Sequence, residues 1–203
     1  MNNDTDNNPR ANILANIRLA LQTPPENQIA KPDFNQNIKK TQTEQILEVQ
    51  FAQNFQKNGG EFYFCQTLED FLMSFKFWCN KRKIKHLFAP DNYLQTLLKI
   101  ALIDFEIQES NFELADACLL LPKVLLAEEG SLLFVSENPD QRKWSVFPPV
   151  LVVMAFSTEI IANLESAFKS LEQQYQETLL PNMVSIISPS SSCELIVFLV
   201  EEM

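Results

Sequence analysis

Apolar residues recur at helical spacing in several stretches of this chain and run without interruption in several shorter ones. Over residues 9–22, Ile13, Leu14, Ile17, Ala20 and Leu21 share one helical face, and Pro24-Pro25 closes the segment. Residues 1–8 are mostly Asn and Asp. Residues 23–42 are rich in Pro, Asn, Gln and Lys, with Phe34 as an apolar anchor. Such stretches bury too little apolar surface to order themselves. The pattern predicts a mobile N-terminal extension with one short helix over 1–42 and a globular domain over 43–203.

Inside the globular part the periods alternate. Ile46, Leu47, Val49, Phe51 and Phe55 predict a helix from Gln45 to Asn58, closed by Gly59-Gly60. Glu61 to Cys65 reads as a strand. Thr67 is placed to cap a helix with the apolar stripe Phe71, Leu72, Phe75 and Trp78, and Asp70 stands where a capping box has its acid. Lys85 to Ala89 reads as a strand, and Pro90-Asp91 opens a helix through Leu98. Further strands are expected at Leu102 to Ile107, Asp116 to Leu121, Leu132 to Val135 and Pro149 to Phe156. Val124 to Glu129 reads as a helical turn. Thr158 is read as the cap of a helix reaching Tyr175, and Met183 to Ile187 and Leu195 to Val200 as the last strands. Ala117 to Leu120 is continuously apolar, as strands covered on both faces are. The regular exchange of strands and helices predicts a three-layer α/β fold with a mostly parallel sheet flanked by helices.

Composition narrows the function classes. The 203 residues are 46% hydrophobic, enough for one domain with a full core and a tail. No apolar run nears the ~20 residues that span a bilayer, and the polar start is no secretory signal; a cytoplasmic protein is expected. Residues 1–100 hold 12 Lys/Arg against 10 Asp/Glu, whereas residues 101–203 hold 4 against 16. Phosphate backbones would be repelled by the second half, so no nucleic-acid partner is expected there. Lys81-Arg82-Lys83-Ile84-Lys85 is the exception, readable as a solvated helix end or as an anion or RNA contact. Cys65, Cys79, Cys118 and Cys193 are widely spaced and form no C-x-x-C pair. Zinc or iron–sulfur ligation is not expected, and Cys65 and Cys118 read as buried thiols.

Candidate chemistry gathers in the second half. Glu129 is the leading carboxylate, read either as a functional residue or as an exposed turn residue. Gly130 after it permits backbone shapes that let a ligand come close. Ser131 adds a hydroxyl and an N–H, for capping or for binding. Arg142 is suited to hold a carboxylate or phosphate bidentately, or to pair with a nearby acid. Ser190 and Ser192 belong to the hydroxyl-rich run Ser188 to Ser192, which is either a cradle for an anion or a plain polar turn. With His86 the one histidine in the chain, no Ser-His-Asp arrangement is evident unless His86 serves.

Ala115-Asp116-Ala117, then Leu126-Ala127-Glu128-Glu129-Gly130-Ser131-Leu132, then Arg142, then Phe147-Pro148-Pro149-Val150-Leu151-Val152-Val153, resemble the LUD domain of the LutC/YkgG type, associated with lactate utilization. Arg10, Ile13, Leu14, Ile17, Arg18 and Leu21 also fit that family's opening. The resemblance is clearest from about Ala115 to Pro189 and implies the fold of the NagB/RpiA/CoA-transferase-like group. The family's last motif, Gly-Pro-Ser-Arg-Thr-Ala-Asp-Ile-Glu with a Gly-His-Gly-Pro loop, is matched by Pro189 and Ser190. Ser192 and Glu194 stand for its Thr and Asp, while its glycine, its arginine and the loop are absent.

The resemblance implies an accessory or ligand-binding component of lactate-type organic-acid oxidation. It would take a small anionic ligand and act beside iron–sulfur or other redox subunits. No redox motif and no cofactor of its own are expected in this chain. Two other readings stand beside it: an acyl- or CoA-transfer enzyme using Glu129, and a degenerate, non-catalytic interaction module.

Overall fold

The computed structural model describes residues 46–105, 114–136, 143–144, 148–175, 183–189 and 193–201. The expected extension over 1–42 and its helix lie outside these residues.

Helix α1 spans Leu47–Lys57, with Phe51 and Phe55 buried one turn apart and stacked at 5.3 Å between ring centroids. Asn58 caps it, and the amide of Gly60 reaches back to the Phe55 carbonyl. Strand β1 (Glu61–Cys65) leads to α2 (Leu68–Arg82), whose start is fixed by Thr67, its hydroxyl accepting from the Asp70 amide at 3.1 Å. Lys83 ends α2 in the left-handed region, and Ile84 donates back to the Cys79 carbonyl. After β2 (Leu87–Phe88), Asp91 caps α3 (Asn92–Ile100) by accepting from the Tyr93 and Leu94 amides at 2.8 and 3.2 Å. Then come β3 (Ala117–Leu120), β4 (Val124–Leu126), β5 (Ser131–Ser136) and β6 (Val150–Phe156). A 3-10 turn (Ser157–Glu159) and β7 (Ile160–Ile161) precede α4 (Leu164–Gln174), β8 (Met183–Ile187) and β9 (Glu194–Val200).

Five strands form a wholly parallel sheet in the order β1-β9-β6-β3-β2. Parallel sheets need cover on both faces, and alternation along each strand supplies it. Ala117, Leu119, Val152, Met154, Ile196 and Phe198 face α2 and α3. Tyr63 stacks on Phe198 at 4.7 Å, while Phe71 and Phe75 meet it edge-on. Each fully buried ring of this kind is worth roughly 1.5–3 kcal/mol. Cys118, Leu120, Leu151, Val153, Val197 and Leu199 face the other way, onto α1 and a second sheet. This is the expected parallel sheet flanked by helices.

The second sheet is an addition to that expectation. It has the order β7-β4-β5-β8, with β4–β5 and β5–β8 antiparallel. Leu125 and Leu132 point into the main core, whereas Val124, Leu126 and Leu133 meet Ala167 and Leu171 of α4. The helical turn read over Val124 to Glu129 is therefore a strand and a hairpin turn. The alternation of faces, Val124 and Leu126 against Leu125, has a period of two, which three residues are too short to reveal by pattern. The cap expected at Thr158 is Asn163 instead, its side chain accepting from the Ser166 amide at 3.0 Å, because Ile160–Ile161 are taken up in pairing with β4. Leu102 to Phe105, the described part of the strand expected there, is not a strand. Leu102 and Ile103 donate back into α3 and close it. Among the described residues no helix is long and apolar enough to cross a membrane.

Candidate functional site

The Glu129 turn joins β4 to β5 and is clamped onto α1. The Asn54 side-chain amide donates to the carbonyls of Ala127 (2.8 Å) and Glu128 (3.1 Å), and that of Asn58 donates to the Glu129 carbonyl (2.9 Å). Gly130 has φ +58°, and a Cβ there would come within 2.5 Å of the backbone of Asn54 and Phe55. The close approach that the glycine permits is thus to helix α1.

Three of the turn's backbone donors are also engaged. Ala127, Glu128 and Gly130 donate to the carbonyls of Ile161, Ala162 and Leu126 at 2.9 Å. The Glu129 side chain is exposed. Glu128 is half-buried, with the Asn163 amide 3.5 Å from its carboxylate. Ser131 is fully buried, and its hydroxyl has no hydrogen-bond partner among the described residues.

A cavity of about 260 Å³ opens at the other end of β5, where Phe134, Val135 and Ser136 meet Leu120 at the carboxyl end of β3. Pro90 and Asp91, just past the carboxyl end of β2, form another wall, and Trp144 a third. Trp144 is held edge-on against Phe88 at 5.7 Å. This is where open α/β sheets place ligands: outside the carboxyl ends of the strands. β5 is six residues long, so roughly 15–20 Å separates this cavity from the Glu129 turn at ~3.3 Å per residue.

A larger cavity, about 500 Å³, lies at the carboxyl ends of β6 and β9 beside Thr67 and Tyr93, with Glu69 and Glu201 in its lining. Those two carboxylates weigh more heavily against an anion than the single Asp91 of the smaller cavity. In the smaller cavity, one oxygen of the Asp91 carboxylate is already committed to the Tyr93 and Leu94 amides.

Sequence reasoning thus brings Glu129, Gly130 and Ser131 together in one turn. Arg142, Ser190 and Ser192 lie outside the described residues. Sequence reasoning named Asp91 only as a helix start, and it missed Ser136 and Trp144. The signal was topological: Asp91 and Ser136 each follow a predicted strand.

Arg82, read as part of a solvated helix end, makes a specific contact at the amino ends of β1 and β9. It holds Glu194 with both guanidinium arms at 2.6 and 2.8 Å and Glu61 at 2.7 Å, and it lies over the Trp78 ring. The Glu194 hydrogen bonds come first in raising its pKa further. Glu61 in turn accepts from the Tyr63 hydroxyl, and burial, then this bond, push that phenol up to about 12. Glu194, the carboxylate standing for the family-like aspartate, therefore ties β9 to α2, as Glu61 ties β1.

The thiols are not poised for chemistry. Burial pushes Cys65 up to about 11 and Cys79 to about 12, and it raises Cys118 and Cys193 as well.

A family model described as LUD domain matches residues 49–203. The chain therefore belongs to the LUD domain family. A solved structure of a DUF162 family protein from Deinococcus radiodurans is similar at 13% identity. The match covers 77% of this chain and 96% of that one, with a TM-score of 0.58, and so shows a shared fold. A translation initiation factor eIF-2B from Pyrococcus horikoshii OT3 matches at 11% identity, over 74% of this chain and 61% of its own, with a TM-score of 0.36. No curated protein matches the chain.

Proposed function

We propose that this LUD-domain protein is an accessory, ligand-binding component of lactate-type organic-acid utilization, and that its ligand is a small organic anion held at the carboxyl ends of β2 and β3. Family membership supports the general role. The observation that carries the ligand class is the cavity beside Asp91, Ser136 and Trp144. At about 260 Å³ it falls below the ~300–1,000 Å³ typical of sites for drug-sized ligands. That is room for a two- to four-carbon acid and not for a whole coenzyme A.

Ser136 offers a hydroxyl and Trp144 an indole N–H. The charge would come from Arg142 or Lys143, which stand immediately before Trp144 in the chain. A planar guanidinium suits a carboxylate best. Oxidation of such an acid needs an electron acceptor, and the buried, high-pKa thiols here do not supply one. Iron–sulfur or other redox subunits would take that part in a complex.

The acyl-transfer alternative rests on Glu129, whose exposed carboxylate stands on the far side of β5 from the cavity. Titration calorimetry of the full chain with lactate, pyruvate, phosphate and coenzyme A tests the leading reading. Heat from lactate or pyruvate is expected. Binding of coenzyme A alone, with acylation of Glu129 by acetyl-CoA seen by mass spectrometry, would replace it with the alternative.

A further inference from the structure

We infer that the face formed by the C-terminal turns of α2 and α3 is a docking surface for an acidic amphipathic segment of a partner protein. Three large apolar side chains stand out of this face: Phe77 at 69% exposure, Ile100 at 68% and Leu102 at 84%. The two turns are tied together, since the Lys76 ammonium donates to the Ala101 carbonyl at 2.8 Å. A cavity of about 350 Å³ opens there, walled by Leu102, Lys76, Asn80 and Lys85.

Leu102 is the telling residue. Its φ is +53°, the left-handed region that glycine or asparagine occupies at far lower cost than leucine. That backbone shape closes α3, as Lys83 closes α2, but the Leu102 side chain is left almost fully in water. It gains if a partner covers it.

Charge identifies the partner. The chain carries −10 overall, yet Lys76, Lys81, Lys83, Lys85 and Lys99 are all exposed on these two turns. Arg82, in their midst, is turned away to Glu61 and Glu194. Among the described residues, Asp104 is the carboxylate lining the cavity. Exposed apolar side chains with lysines beside them, two of which line the cavity, complement a helix with an apolar stripe and acidic flanks. Met73 and Phe77, one turn apart on α2 and both exposed, give such a stripe a ridge to lie along. A concave centre containing Asp104 suits an inserted side chain better than a flat anionic bilayer or a phosphate backbone.

The probe is a fluorescein-labelled helical peptide of about 18 residues, with leucines at i, i+3, i+4 and i+7 and glutamates elsewhere. Anisotropy is read on the full chain, against the same peptide with lysine for glutamate, phosphatidylglycerol vesicles and a uridine oligonucleotide. The glutamate peptide is expected to bind, more weakly at higher salt, and the lysine peptide not to bind. Leu102→Gly removes the side chain while relieving its backbone, so the fold survives. That variant and Lys85→Glu are each expected to weaken binding roughly tenfold. No binding of the glutamate peptide, equal binding by both variants, or tighter binding of vesicles or RNA that depends on Leu102 would overturn the inference.

Discussion

Gly130 packs directly against the backbone of Asn54, with room for no side chain between the β4–β5 turn and helix α1. The Asn54 amide then spans the gap to two carbonyls of the same turn. The contact seats the second sheet on the helix that covers the first. Gly130→Ala is expected to destabilise the fold by about 2–4 kcal/mol, of which roughly 1–2 is the left-handed backbone and the rest the clash. Asn54→Ala should cost about 1–3 kcal/mol, through the carbonyls left unpaired. Urea denaturation of each variant checks both values. An unchanged midpoint for Gly130→Ala would mean that the turn floats free of α1.

What the sequence made legible follows a physical line. Thr67 was readable as a cap, and Asp91 as a helix start, because a short polar side chain just before an apolar stripe has one obvious use. Strands β1, β6, β8 and β9 were readable from their apolar runs. β4 and β7 were not, because two- and three-residue strands carry no period, and their stability comes from pairing with distant partners. Likewise Glu129-Gly130-Ser131 looked like a ligand loop. A glycine at positive φ reads the same whether a ligand or a helix backbone approaches it, and nothing local reveals that Asn54 does.

Asp116 ties the start of β2 to that of β3. One carboxylate oxygen accepts from the Lys85 and His86 amides at 2.8 and 3.0 Å. These bonds, that from His86 first, lower its pKa below the ordinary 3.8. A depressed folded pKa gives stability that is present above the unfolded value and is lost as pH falls through the folded one. Asp116→Asn should therefore cost about 1 kcal/mol at neutral pH, and its deficit against the wild type should shrink as the pH falls below about 4. Parallel urea titrations across that range check the sign. A deficit independent of pH would place the loss in geometry and not in charge.

The thiols make a separate, simple test. With Cys65 pushed up to about 11 and Cys79 to about 12 by burial, almost no thiolate exists at pH 7. Cys118 is fully buried, while Cys193 is half-buried and its thiol reaches the Pro148 carbonyl. Ellman's reagent should label the native chain slowly, Cys193 first, and all four thiols at once in guanidinium. A fast burst at Cys65 or Cys79 would show that the layer of α2 opens.

The proposed anion site makes the sharpest prediction, because two candidates stand at opposite ends of β5. If the cavity at the carboxyl ends of β2 and β3 holds the ligand, Arg142→Lys should weaken binding by about 1–3 kcal/mol, since the charge stays while the planar fork is lost. Arg142→Ala should weaken it more. Glu129→Gln should leave affinity unchanged, because the turn that carries it lines no wall of the cavity. The chain's two tryptophans supply an independent readout. Trp78 is buried on the inner face of α2 and Trp144 lines the cavity, so a Trp78→Phe background reports the site alone. Ligand should shift that single emission in the Arg142 wild type, and the shift should need more ligand in each Arg142 variant. Affinity lost in Glu129→Gln and kept in Arg142→Ala would move the site to the hairpin. Equal affinity in all four proteins would make Arg142 a surface charge and leave the interaction-module reading in front.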